Sequence, residues 1–239
     1  MNLIADIGNT RVKLAIFNKN EKISIAHFDD INVEILKDQL YMHKVNKAIV
    51  TSVREVPAEI LDSLQKRVPF VHYLTYNSRL PFEIEYESPE SLGMDRVAGI
   101  AGAYNILNGN NVLLIDAGTA ITFDFLIDKK YLGGNISPGI EMRFRALNKF
   151  TGKLPLLMKS EKYTSPGKNT SDAIVAGVQT GLIFEINEYI RTFTKKHKNL
   201  KIIITGGDGG FLSKYIDYEH SYQPDIVIEG LNYILEYNA

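Results

Sequence analysis

Two stretches, LIADIGNTRVKLAIF (residues 3–17) and NVLLIDAGTAITFDFLI (residues 111–127), follow one plan: an apolar run, an Asp-x-Gly turn, and a second apolar run. In the first, Leu3–Ala5 and Val12–Phe17 are rich in β-formers and flank the polar turn Asp6–Arg11 with glycine at its centre, which is a hairpin pattern. Aligning Asp6 with Asp116 and Gly8 with Gly118 matches a hydrophobic run on each side. The chain therefore reads as an internal duplication, with one half over residues 1–110 and another over residues 111–239.

Working outward from the first hairpin, residues 33–41 have helical spacing, Lys47–Ser52 (KAIVTS) reads as a buried strand, and residues 58–67 read as a helix with Pro57 near its first turn. A loop rich in Pro, Glu and Tyr leads into a helix at residues 96–107, whose Ala98, Gly99, Ala101, Gly102 and Ala103 permit another backbone to pack closely. Beyond the second hairpin come a Gly-Gly turn in YLGGNISPG, helical segments at 140–147 and 171–195, a strand at 201–205, the glycine turn GGDGG and a last amphipathic helix from Asp225.

The 239 residues allow one or two domains. A hydrophobic share of 45% against 23% charged is ordinary globular composition. A formal net charge of −1 lacks the basic footprint that binding a phosphate backbone requires, which argues against a nucleic-acid partner. With no cysteine, disulfides, thiolate metal sites and a cysteine nucleophile are excluded, and a reducing, cytoplasmic setting fits. MNLIADIGNT has no basic leader and meets Asp6 early, so it reads as a strand rather than a signal peptide. Asp116 and Asp124 interrupt the most apolar stretch, which argues against a membrane span.

The Asp-x-Gly turns suggest a chemistry. Glycine lets the backbone approach a phosphate, hairpin amides donate to its oxygens, and the aspartate can hold a cation or its waters. One such turn commonly makes nothing more than a turn. Here there are two, and Gly206, Gly207, Gly209 and Gly210 form another glycine turn at the end of an apolar strand, where ligands of α/β proteins usually lie. The bland alternative for that last turn is a tight strand-to-helix connection. Neither a GxxxxGK[ST] loop nor a GxGxxG after the first strand is present, so P-loop and dinucleotide folds lose support.

Separated Asp-x-Gly hairpins with a late Gly-Gly turn resemble the superfamily of acetate and sugar kinases, heat-shock ATPases and actin. That resemblance implies an α/β, duplicated ribonuclease H-like (actin-like ATPase) fold, two similar halves of mixed sheet flanked by helices, with ATP in an interdomain cleft. Within it, DIGNT (6–10), GMDR (93–96), DAGTA (116–120), GGNISPG (133–139) and KNTSDAI (168–174), in register over most of the chain, resemble type III pantothenate kinase. The resemblance implies ATP-dependent phosphorylation of the primary hydroxyl of pantothenate, the first step of coenzyme A biosynthesis, with Mg²⁺ and an activating monovalent cation, K⁺ or NH₄⁺. Asn135 departs from the small residue expected in the third motif.

Position by position, the resemblance makes Asp6, Ile7, Gly8, Asn9, Thr10, Arg11, Val12 and Lys13 the first nucleotide loop. Asp6 lies in the Mg²⁺ environment, and Asn9, Thr10 and Lys13 lie near phosphates, although Lys13 is equally readable as a solvated strand-end lysine. Asp95 matches the general base that accepts the proton of the attacking hydroxyl; its structural alternative is a helix N-cap. Arg96 matches a substrate contact and suits either a carboxylate or the transferring phosphoryl group, since a guanidinium forks onto both. Gly93 and Met94 contribute backbone there, and Tyr86 matches a substrate-contacting tyrosine whose structural alternative is packing on a surface. Asp116 matches the monovalent-cation position and Thr119 an ATP contact. Thr170 matches a further substrate contact and is also a candidate helix cap.

The resemblance further implies a homodimer, and the small-residue helix after GMDR suits close packing across an interface or inside its own subunit. Two other functions remain open on sequence: a regulatory ATPase of the same superfamily, which needs no base beside an acceptor, and a kinase for another hydroxylated small molecule.

Overall fold

The computed structural model describes residues 1–9 and 11–239. It divides into two compact units, one comprising residues 1–109, 128–132 and 225–239, the other residues 110–127 and 133–224.

In the first unit β1 (Asn2–Ile7) pairs antiparallel with β2 (Val12–Asn18), which pairs antiparallel with β3 (Glu21–Phe28). On its other side β1 runs parallel to β4 (Lys47–Ser52), and β4 to β5 (Phe70–Tyr73). Strand side chains alternate between faces. One face, carrying Leu3, Ala5, Ile7, Leu14, Ile16, Ala48 and Val50, packs with Leu36 of α1 (Val33–Met42) and with Ile60 and Leu64 of α2 (Ala58–Arg67). The opposite face, which carries Ile4 and Asp6, is covered by α3 (Met94–Ile106) and α7 (Ile226–Asn238).

The small residues of α3 meet α7 of the same chain. A Cβ built on Gly230 would lie 1.8 Å from the Ala98 carbonyl oxygen, and one on Gly102 would lie 2.2 Å from the Ile226 carbonyl oxygen. The packing face read from the sequence is therefore filled internally and carries no argument for an interface. Asn2 Nδ2 donates to Asn232 Oδ1 at 2.8 Å and to Glu236 Oε1 at 2.7 Å, while Lys47 pairs with Glu236 at 3.0 Å, so α7 also has a polar anchor on β1 and β4.

The second unit repeats the plan. Strand β7 (Val112–Ala117) is antiparallel to β8 (Ala120–Ile127) and parallel to β10 (Lys201–Thr205), which is parallel to β11 (Ser221–Tyr222). With β9 (Lys130–Pro138) next to β8, the strand order β9-β8-β7-β10-β11 reproduces β3-β2-β1-β4-β5. The start of β9 belongs to the first unit, where Glu83 and Ile84 of β6 (Glu83–Ile84) pair with Lys130 and Tyr131. Leu113, Ile115, Ile121, Phe123 and Ile202 form a core with α4 (Ile140–Phe150), α5 (Thr170–Lys196) and α6 (Gly209–Leu212).

The duplicated mixed α/β architecture agrees with the sequence reading, with local corrections. The Gly-Gly turn expected at 133–134 runs inside β9, with Gly133 at φ 91°. Helix α3 begins at Met94 with Gly93 as its N-cap, so Asp95 is not the cap. Helix α5 is capped by Asn169, whose Oδ1 accepts from the Asp172 amide at 2.8 Å; Thr170 is its first residue and not its cap. No helix among the described residues is long and apolar enough to cross a membrane.

Candidate active site

In the first unit the site forms where β1 and β4 end and α3 begins. The ladders place Lys13 of β2 and Thr51 of β4 on either side of Asp6, and in-register neighbours point to the same face. The turn beyond is closed by the Gly8 amide donating to the Arg11 carbonyl oxygen at 3.0 Å. Asn9 and Arg11 are exposed. Ile7 and Val12 send their side chains into the core, so any role they have toward a ligand is through the backbone. Thr10 lies outside the described residues.

Burial pushes the Asp6 carboxyl up from 3.8 to about 6; Lys13 pulls it down, and the charge of Asp95 adds to the rise. Asp95 thus lies within electrostatic reach of Asp6 from the first turn of α3. Its Oδ1 accepts from the Arg96 amide at 2.9 Å. A Cβ on Gly93 would come within 2.6 Å of that same oxygen, so the glycine leaves the carboxylate room to lie over the start of the helix. Arg96 is buried. Met94 is half-buried, as is Tyr86, whose ring lies 6.4 Å from that of Tyr131.

Sequence reasoning passed over Thr51. It is 2% exposed, and among the described residues its Oγ1 has no hydrogen-bond partner. Such a group costs about 1–3 kcal/mol. The available signal was a threonine at the carboxyl end of a buried parallel strand, where α/β proteins gather ligands.

In the second unit Asp116 stands between Thr122 of β8 and Thr205 of β10, as Asp6 stands between Lys13 and Thr51. Three loops converge there. The Gly139 amide donates to the Thr119 carbonyl oxygen at 3.0 Å, and the Asp208 amide donates to that of Ala117 at 2.9 Å. Gly206, at φ 88°, leaves no room for a Cβ, which would lie 2.5 Å from Asp116 Oδ1. Lys159 pairs with Asp208, which ties residues of the 151–168 segment to the glycine turn. Thr119 and Thr170 are exposed in this unit.

The donor set suits a magnesium nucleotide. Hard carboxylate and hydroxyl oxygens at Asp6 and Thr51 match a cation that keeps several waters and is held by one or two carboxylates plus phosphates. Among the described residues there is no cluster of three or more His, Cys, Asp or Glu disposed around a metal. A depression in the second unit, near Asn187, Arg191 and Tyr218, is lined by none of these residues.

Residues 2–192 match the family model described as type III pantothenate kinase. A Bacteroides fragilis protein named type III pantothenate kinase is 38% identical over 239 residues, covering 100% of this chain and 98% of its own. Among solved structures, a Campylobacter jejuni protein described as a Baf family transcriptional activator superposes with a TM-score of 0.63 at 26% identity, over 99% of this chain and 98% of its own. A Listeria monocytogenes protein described as an N-acetylmannosamine kinase gives a TM-score of 0.58 at 13% identity, over 99% and 98%. At that identity the likeness speaks for the fold alone.

Proposed function

The chain belongs to the type III pantothenate kinase family and phosphorylates pantothenate in coenzyme A biosynthesis, and from that premise we propose that Asp95 takes the proton of the attacking hydroxyl. The observation that carries this role is the placement of the Asp95 carboxylate at the start of α3, within electrostatic reach of Asp6 and over a glycine that leaves it room. Bound MgATP supplies the phosphoryl group and the cation that spreads its charge.

The chain supplies position and charge. Asp6 would hold the hydrated Mg²⁺, and Lys13, with the amides of residues 7–9 and 11–13, would face the phosphates. Thr119 is a further ATP contact. Arg96 forks onto either the pantothenate carboxylate or the phosphoryl group. Tyr86, Thr170 and the backbone of Gly93 and Met94 hold pantothenate. Asp116 takes K⁺ or NH₄⁺; in support, the ladder that sets Lys13 opposite Asp6 sets uncharged Thr122 opposite Asp116, leaving oxygen ligands that suit a hard cation. The reaction belongs in the cytoplasm, with the enzyme a homodimer. Exposed Ile136, Met142, Phe150, Leu156 and Met158, on β9, α4 and the segment after it, supply apolar surface for such an assembly.

The name of the Campylobacter protein favours a second reading, that of a nucleotide-dependent regulator. A regulator has no use for a base beside an acceptor hydroxyl. ADP formation measured with pantothenate, N-acetylmannosamine or no acceptor, in potassium and in sodium buffer, separates the readings. The kinase reading expects turnover that depends on pantothenate and is stimulated by potassium. Turnover indifferent to acceptor supports the regulator, and equal rates in the two buffers remove the cation role of Asp116.

A further inference from the structure

The row Lys13, Asp6, Thr51 crosses three adjacent strands on the face that α3 covers, and only its middle member was legible as a metal-side residue. Thr51 is the unusual member. Its chain neighbours Ile49 and Val50 are buried aliphatic residues, and a valine at 51 would fill the same space with no hydroxyl to desolvate. Among the described residues, Thr51 Oγ1 is buried without a hydrogen-bond partner. Burying a hydroxyl in that way is unfavourable in the ligand-free chain. Its neighbour Ser52, by contrast, is satisfied locally, with Oγ donating to the Arg54 carbonyl oxygen at 2.6 Å.

The side chains of Thr51 and Asp6 point the same way from parallel strands whose backbones lie about 4.8 Å apart. That spacing suits two oxygens sharing one hydrated cation. We propose that Thr51 is a positioning residue for the metal nucleotide: its hydroxyl accepts a hydrogen bond from a water of the Mg²⁺ held at Asp6, which fixes the orientation of that hydration shell. The inference rests on the reading of Asp6 as the Mg²⁺ side of the site. It gives the hydroxyl its partner only in the loaded enzyme.

The test compares Thr51→Val, Thr51→Ser and Asp6→Asn in two measurements. In the ligand-free protein, Thr51→Val should melt higher than wild type, by about 2–4 °C for a chain of this size. In steady-state turnover at fixed ATP, the Mg²⁺ concentration giving half-maximal rate should rise about 10-fold in Thr51→Val, the loss of roughly one hydrogen bond to a charged shell, and Thr51→Ser should restore it. A Thr51→Val protein that melts lower than wild type, or one whose Mg²⁺ dependence is unchanged while that of Asp6→Asn shifts, overturns the role of Thr51 and leaves Asp6 in place. If neither Thr51→Val nor Asp6→Asn moves the Mg²⁺ dependence, the Mg²⁺ reading of Asp6 falls as well.

Discussion

Asp6 shows how a single carboxylate at a site registers in the stability of the whole chain. Its pKa of about 6 exceeds the ordinary 3.8 because it is desolvated, so the folded state holds its proton more tightly than the unfolded state does. The stability this confers is complete below about pH 4 and disappears as the pH rises through 6, and a shift of this size corresponds to about 3 kcal/mol. Asp6→Asn removes that dependence. Thermal melts of the ligand-free protein between pH 4 and 7 should show the variant gaining on wild type as the pH rises; parallel profiles would mean that the carboxylate is effectively solvated. In the role proposed for Asp6 the expected cost of the substitution is to function, since a desolvated charge there would serve a cation beside the phosphates.

At the scale of elements, α3 joins the site to the core. Its first turn carries Asp95 and Arg96, while Ala98 and Gly102 lie against Gly230 of α7 at backbone contact. Gly230→Ala forces the two helices apart. The expected loss is at least 1–3 kcal/mol, the usual cost of overpacking, measured by denaturant titration; a variant as stable as wild type would mean that the helices repack freely. Much of this was legible in the sequence: strands 47–52 and 201–205 and helix 58–67 appear at the boundaries their periodicity gives. The small residues of α3 likewise announced a close neighbour. That the neighbour is α7, more than a hundred residues on in the chain, is a tertiary fact that local pattern does not hold. Strand β3 escaped notice because EKISIAHF is largely exposed and has no strong apolar alternation. Gly133 and Gly134 read as a turn because glycine signals one, yet in β9 they extend a strand. The line between N-cap and first turn, at Gly93 and Asn169, depends on backbone geometry that composition does not reveal. Thr51 escaped for a different reason, since its signal is a missing partner and a sequence does not list partners.

The whole molecule is one plan used twice, with an aspartate one residue before the end of the first hairpin strand of each copy and a threonine beside it on the parallel neighbour. The copies have diverged where chemistry would require it, in Lys13 against Thr122 across the hairpin and in the GMDR turn that only the first unit carries. The family follows from the match to type III pantothenate kinase; the division of labour between the copies turns on the proposed role of Asp95. Pantothenate-dependent ADP formation by wild type and by Asp95→Asn, alongside the ATP affinity of each, addresses it most directly. A general base is worth about 10²–10⁴-fold, so the account predicts that kcat falls by that factor in the variant while ATP binds as before. A variant with undiminished kcat would contradict the assignment of Asp95 as the base.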